Sequence, residues 1–80
     1  MDFVWDEAKN DWLKSERLIS FEEIANEILE ERYLDIVKHP TRANQHSFVL
    51  RLHDYTWLAP FVIDDERRIV LSEVRDMRAV

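Results

Sequence analysis

Arg51 and His53 stand at i and i+2, a spacing that on a strand points both side chains to the same side. A guanidinium and an imidazole placed together can stabilise a developing anion and move a proton near neutral pH. Those are the demands of metal-independent cleavage of a phosphate ester. His39 and His46 flank the turn from Pro40 to Asn44, and Lys38, Arg42, Arg67 and Arg68 are the nearby cations. Each histidine also has a structural reading, as a solvated or hydrogen-bonded side chain. Three His without H-x-x-x-H spacing, in a chain without Cys, do not make a zinc site, so no metal and no other cofactor is expected.

The segment that carries Arg51 alternates Phe48, Leu50 and Leu52 with Val49, Arg51 and His53, which predicts a strand over 47–53 with one apolar face. Further strands are expected over 33–38, 56–63 and 68–74. The third of the four reads as central, because Trp57, Ala59, Phe61 and Ile63 alternate with Leu58, Pro60 and Val62. Pro60 cannot donate to a ladder, so a bulge is expected there. Asp54-Tyr55 and the segment 64–67 make the hairpin connections. With no Gly in the chain, an Asp is expected in the left-handed region.

Ahead of these strands, Phe3-Val4-Trp5 reads as a short strand and Asp6 as the N-cap of a helix running to about Arg17. Ala8 and Trp12 would form its inward face, with Leu13 flanking them. A second helix opens at Ser20. Ser20 and Glu23 form a capping box, and Ile19 and Ile24 have the spacing of a hydrophobic staple. Phe21, Ile24, Ala25, Ile28 and Leu29 make its apolar stripe, opposite Glu22, Glu23, Glu27, Glu30 and Glu31. That acidic face reads as a solvated surface, with a basic partner peptide as the alternative. Trp5, Trp12 and Trp57 are read as packing residues. The order β-α-α-β-β-β-β predicts an α+β fold, two helices on one face of a mostly antiparallel sheet.

Eighty residues allow one domain, 1–80, with a modest core, and the absence of Cys excludes disulfide or thiolate-metal support. No apolar run is long enough for a membrane span and no leader precedes the first strand, so the cytoplasm is the expected location. The absence of Gly excludes Walker and dinucleotide-binding loops. The net charge of −6 argues against a general nucleic-acid surface. Its distribution is uneven: residues 1–35 hold 11 acids and 4 bases, a balance of −7, while residues 36–80 hold 6 acids and 7 bases, a balance of +1. A phosphate-bearing ligand would be tolerated only by the strand-rich part.

The F-x-W-D-x-x-K opening (Phe3, Trp5, Asp6, Lys9), the Ser20-Phe21-Glu22-Glu23 helix start and the strand-rich stretch from His39-Pro40 to Ile69-Val70-Leu71 resemble BrnT-type toxins of bacterial type II toxin–antitoxin systems. These are small RelE-like ribonucleases. The resemblance spans about residues 2–71. It implies cleavage of mRNA and makes Lys9 a family-motif position; for such cleavage the residues themselves offer Arg51, His53 and His46 as catalytic candidates and Lys38, His39, Arg42 and Arg68 as RNA-binding candidates. It also implies a ribbon-helix-helix antitoxin as partner in a 2:2 complex, with DNA contacted only through the antitoxin and no membrane association. Residues 72–80 depart from the pattern. The divergent tail suggests a truncated or frame-altered toxin with altered activity, and a non-catalytic antitoxin-binding module stays open as the alternative.

Overall fold

The second helix is specified by its own first turn. In the computed structural model, which describes residues 1–79, α2 spans Phe21–Leu29. Ser20 Oγ accepts from the Glu23 amide while the Glu23 carboxylate accepts from the Ser20 amide, the reciprocal capping box. Ile19 and Ile24, the staple pair, are both fully buried. Asp6 caps α1 (Glu7–Glu16) by accepting from the Ala8 and Lys9 amides.

The rest is a six-stranded sheet: β1 Phe3–Val4, β2 Asp35–Lys38, β3 His46–Leu52, β4 Tyr55–Ile63, β5 Ile69–Leu71 and β6 Arg75–Asp76, followed by a 3₁₀ turn at Met77–Ala79. The order is β1-β5-β4-β3-β2, with β6 also paired to β4. All pairings are antiparallel except β1 with β5, which is parallel. The fold is therefore α+β, with the two helices packed against a mostly antiparallel sheet.

β4 is the central strand, and the accommodation of Pro60 lies in the chain facing it. The β3–β4 register runs without interruption through Ser47↔Pro60. Its two-residue hairpin makes Leu52↔Tyr55 a hydrogen-bonded pair, and alternation then leaves Ser47↔Pro60 a non-hydrogen-bonded one. The Pro60 nitrogen thus faces away from β3. On that other side β4 pairs with β5 through Phe61↔Leu71 and with β6 through Leu58↔Arg75, so three residues, Ser72–Val74, span the interval opposite two, Ala59 and Pro60. The extra residue bows the ladder where the proline has no N–H to give. Of the single strand expected over 68–74 only Ile69–Leu71 forms, as β5, and the ladder resumes past that range in β6, which was not expected.

The core takes Phe48 and Leu50 from β3, Trp57, Ala59 and Phe61 from β4, Ile69 and Leu71 from β5, and Ile24 and Ile28 from α2. Phe48 stacks on Phe61 at 4.4 Å between ring centroids, and Trp57 Nε1 donates to the Leu52 carbonyl at 3.1 Å. The alternate positions Val49, Leu58 and Val70 are absent from that cluster. They belong to the sheet face that no helix covers.

The inward face of α1 differs from the expected one. Asn10 and Leu13 are its buried residues, whereas Ala8 is exposed and Trp12 is 52% exposed with Arg17 over its ring. Of the three tryptophans, Trp57 is buried and Trp5 stacks on Phe21, but Trp12 is a surface residue. Leu29, the last member of the α2 stripe, is also 53% exposed. Asn10 is fully buried because it joins the helices: its Oδ1 accepts from the Phe21 amide at 2.8 Å and its Nδ2 donates to Glu22 Oε1 at 2.7 Å. The Phe21 amide is one of the donors that the first turn of α2 leaves without an intrahelical partner.

Candidate functional site

Strand alternation sorts the candidate residues onto different surfaces. Arg51 shares its parity with Ser47 and Val49, opposite to the buried Phe48 and Leu50, and so projects from the uncovered face. Its guanidinium is held in place by Thr56 Oγ1 at 3.2 Å and the Asp54 carbonyl at 2.9 Å. No carboxylate pairs with it among the described residues.

His53 does not accompany it. β3 ends at Leu52, and His53 and Asp54 form the two-residue hairpin with φ of 53° and 67°, the left-handed pair of a type I′ turn. The turn removes His53 from the alternation, and its Nε2 lies 2.8 Å from Glu23 Oε1 at the start of α2. The geometric reason for pairing Arg51 with His53 is therefore overturned: one faces the open side, the other ties the hairpin to the helix layer. The left-handed Asp expected in this turn is Asp54, and Arg67 occupies the same region in the β4–β5 turn at φ 61°.

His46 opens β3 on the helix side, with its ring 5.9 Å from that of Phe61 and Lys38 opposite it in the register. Five residues separate it from Arg51, about 17 Å along a strand. His39 shapes the β2–β3 turn, its Nδ1 accepting from the Thr41 and Arg42 amides at 3.1 Å each. A neutral ring in that arrangement carries its proton on Nε2. Arg42 is exposed and donates to Gln45 Oε1 at 3.3 Å. Lys38, His39, Arg42 and His46 thus gather at one end of the sheet.

Arg68 is committed elsewhere. It pairs with Asp64 at 2.8 Å and approaches Glu66 at 3.7 Å. The Arg68 backbone N–H and then its guanidinium hold Asp64 below the usual aspartate range. Lys9 Nζ donates to the Ser72 carbonyl at 3.2 Å and so ties α1 to the bowed segment after β5. Among the described residues no three His, Cys, Asp or Glu side chains lie together in a way that could hold a metal ion, and no helix is long and apolar enough to cross a membrane.

The structure adds a cation that the sequence did not single out. Arg75 lies opposite Leu58 and therefore on the same uncovered face as Arg51, one strand to the other side of β4. The two Cα atoms are separated by about 12 Å, from two strand spacings and a two-residue offset. Thr56 and Leu58 of β4 lie between them in the register. Arg75 is paired with Glu73 at 2.7 Å. Beyond it, Arg78 stacks 3.6 Å over the Tyr55 ring and pairs with Asp76 at 2.7 Å, beside a cavity of about 340 Å³ that also reaches Arg17 and Trp57. The Arg78 guanidinium holds Asp76 below its ordinary value, and Asp76 raises Arg78 in return. Only the long-range pairing of β6 could reveal Arg75, because its local sequence alternates charges as any solvated segment does.

Taken together, these are an α+β scaffold with a covered and an uncovered sheet face, and a small set of fixed cations on the latter. No protein-family profile and no curated protein matches the chain. Among solved structures, the chain is similar to the ribonuclease toxin BrnT of Brucella abortus, with a TM-score of 0.66 and 17% sequence identity over 95% of each chain. At that identity the likeness establishes the shared fold.

Proposed function

We propose that this chain is a ribonuclease toxin of the BrnT type, a metal-independent endoribonuclease that acts on mRNA in the cytoplasm. The observation that carries the reading is the match to a ribonuclease toxin along 95% of both chains. The RelE-like ribonuclease class and a ribbon-helix-helix antitoxin, bound in a 2:2 complex, belong to the same proposal. RNA would lie on the uncovered sheet face. There Arg51, prepositioned by Thr56 and the Asp54 carbonyl, offers a cation without a competing carboxylate. Preorganised charge of this kind stabilises a phosphorane more than a mobile side chain does. His39 and Arg42 in the β2–β3 turn would guide the phosphate backbone at the end of the sheet, where Lys38, opposite His46, reaches from the helix side; His46 lies about 17 Å along the strand from Arg51, and His53 is turned to Glu23.

A second reading, an antitoxin-binding module without cleavage, is favoured by a separate observation. Arg68, Arg75 and Arg78 are each paired with carboxylates, and His53 is engaged by Glu23. Purified protein incubated with RNA in the presence of a chelator tests both. Cleavage that falls by about a hundredfold in Arg51→Ala supports the first reading. Intact RNA, together with tight binding to a ribbon-helix-helix protein encoded beside this chain, supports the second.

A further inference from the structure

The turn that closes the β3–β4 hairpin is built from residues that do not favour it. A two-residue turn of type I′ needs φ > 0 at both positions, for which Asn-Gly is the preferred pair. Here His53 and Asp54 hold φ of 53° and 67°, each with a β-carbon that crowds the left-handed backbone. Such a conformation persists where its surroundings over-determine it. The support comes from the helix layer: His53 Nε2 donates to Glu23 Oε1 at 2.8 Å, 30 residues earlier in the chain. Among the described residues no other side-chain hydrogen bond reaches His53 or Asp54 from outside the hairpin.

The contacts on either side of this one run in series. Glu23 Oε2 accepts from the Ser20 amide at 2.9 Å, so one carboxylate closes the first turn of α2 with one oxygen and holds the hairpin with the other. The next residue of the turn, Asp54, presents its carbonyl to Arg51, which donates to it from Nη2 at 2.9 Å. The other anchor of the guanidinium, Thr56 Oγ1 at 3.2 Å, belongs to the β4 residue opposite Arg51, just past the same turn. We propose that Glu23 and His53 are positioning residues for Arg51: the helix cap fixes the turn, and the Asp54 carbonyl fixes the guanidinium on the uncovered face. His53 thus acts across the end of the sheet without touching anything bound there. The consequence for RNA rests on the ribonuclease reading of that face, whereas the coupling from Glu23 to Arg51 does not.

The test compares the full chain with His53→Ala, with Arg51→Ala alone and combined with His53→Ala, and with His53→Asn joined to Asp54→Gly, a turn that needs no outside support. The His53 side chain is 55% exposed and lies outside both strands, so its truncation leaves the core intact. In His53→Ala, ¹⁵N relaxation should show the order parameter of the Arg51 Nε–H falling from that of a rigid group, about 0.85, to below about 0.6. The Asn-Gly variant should restore the parent value without the Glu23 contact, because the carbonyl at position 54 is backbone. With RNA, His53→Ala should lower kcat about tenfold at unchanged KM, and should cost nothing further in Arg51→Ala. An Arg51 signal that is mobile in the parent, as rigid in His53→Ala as in the parent, or equally mobile in the Asn-Gly variant would overturn the proposal. So would additive losses in the double variant. If the parent itself leaves RNA intact, the ribonuclease reading fails, and the order parameters alone decide the positioning.

Discussion

The two faces of the β3–β4 hairpin are built from adjacent residues of the same strands and yet answer to different requirements. On the covered face Phe48, Leu50, Trp57, Ala59 and Phe61 are buried against the helices and fill the core. One residue along on each strand, Val49, Arg51, Thr56 and Leu58 remain partly or fully exposed. The covered face sets stability, and the uncovered face is free to carry charge because no apolar layer must be closed over it. A hairpin of this kind lets one set of positions hold the fold while its neighbours vary with function.

The most severe way to break this contrast is to make a cavity on the covered face. Leu50→Ala should destabilise the protein by about 3 kcal/mol, the range for deleting a fully buried leucine, whereas Val49→Ala should change stability by about 1 kcal/mol or less. Urea denaturation followed by Trp57 fluorescence measures both, and similar losses would refute the division of labour. Next comes the polar joint behind the covered face. Asn10→Ala leaves the Phe21 amide and the Glu22 carboxylate without their partner and should remove about 2 kcal/mol. The same substitution at the exposed Asn26 should be close to neutral.

A smaller effect concerns pH. The Asn10 amide is the main cause that holds Glu22 below its ordinary value of 4.5. A carboxyl lowered in the folded state contributes stability that is fully present above its unfolded value and is lost as pH falls through its folded one. Glu22→Gln should therefore lower the neutral plateau by the small amount this interaction contributes and flatten the acid side of the profile below pH 4.5. A profile that keeps its slope would show that this pair contributes nothing. Smallest of all, Leu18 follows α1 at φ 59° and is 78% exposed, a left-handed position filled by a β-carbon residue in a chain without glycine. Leu18→Gly should raise the unfolding free energy, read by urea denaturation, by up to about 1 kcal/mol, because the steric penalty of that conformation disappears.

Parts of this molecule are legible in the sequence because they are local. Ser20 and Glu23 are three residues apart, and the reciprocal hydrogen bonds expected of them form. The strand alternation through Phe48 and Leu50 likewise reports a face correctly, since the pleat repeats every two residues. His53 escapes that logic because a two-residue turn begins one position earlier than expected, and the turn's left-handed backbone redirects the side chain to Glu23. In α1 the apolar residues are too few to define a face. A buried Asn looks the same in sequence as a surface one, so the spacing points to Ala8 and Trp12 with Leu13 beside them, and of these only Leu13 is buried while Asn10 takes the inward side.

The sequence by itself determined the helix starts, the hairpin-rich second half and the α+β class, because caps and two- or four-residue periodicities are satisfied within a few residues of chain. Only the tertiary structure decided that β1 pairs parallel to β5, that β6 brings Arg75 to the face of Arg51, and that Arg51 and His53 part company. Each of those outcomes depends on contacts between segments far apart in the chain or on the backbone sign of a single turn. Local propensity carries no record of either.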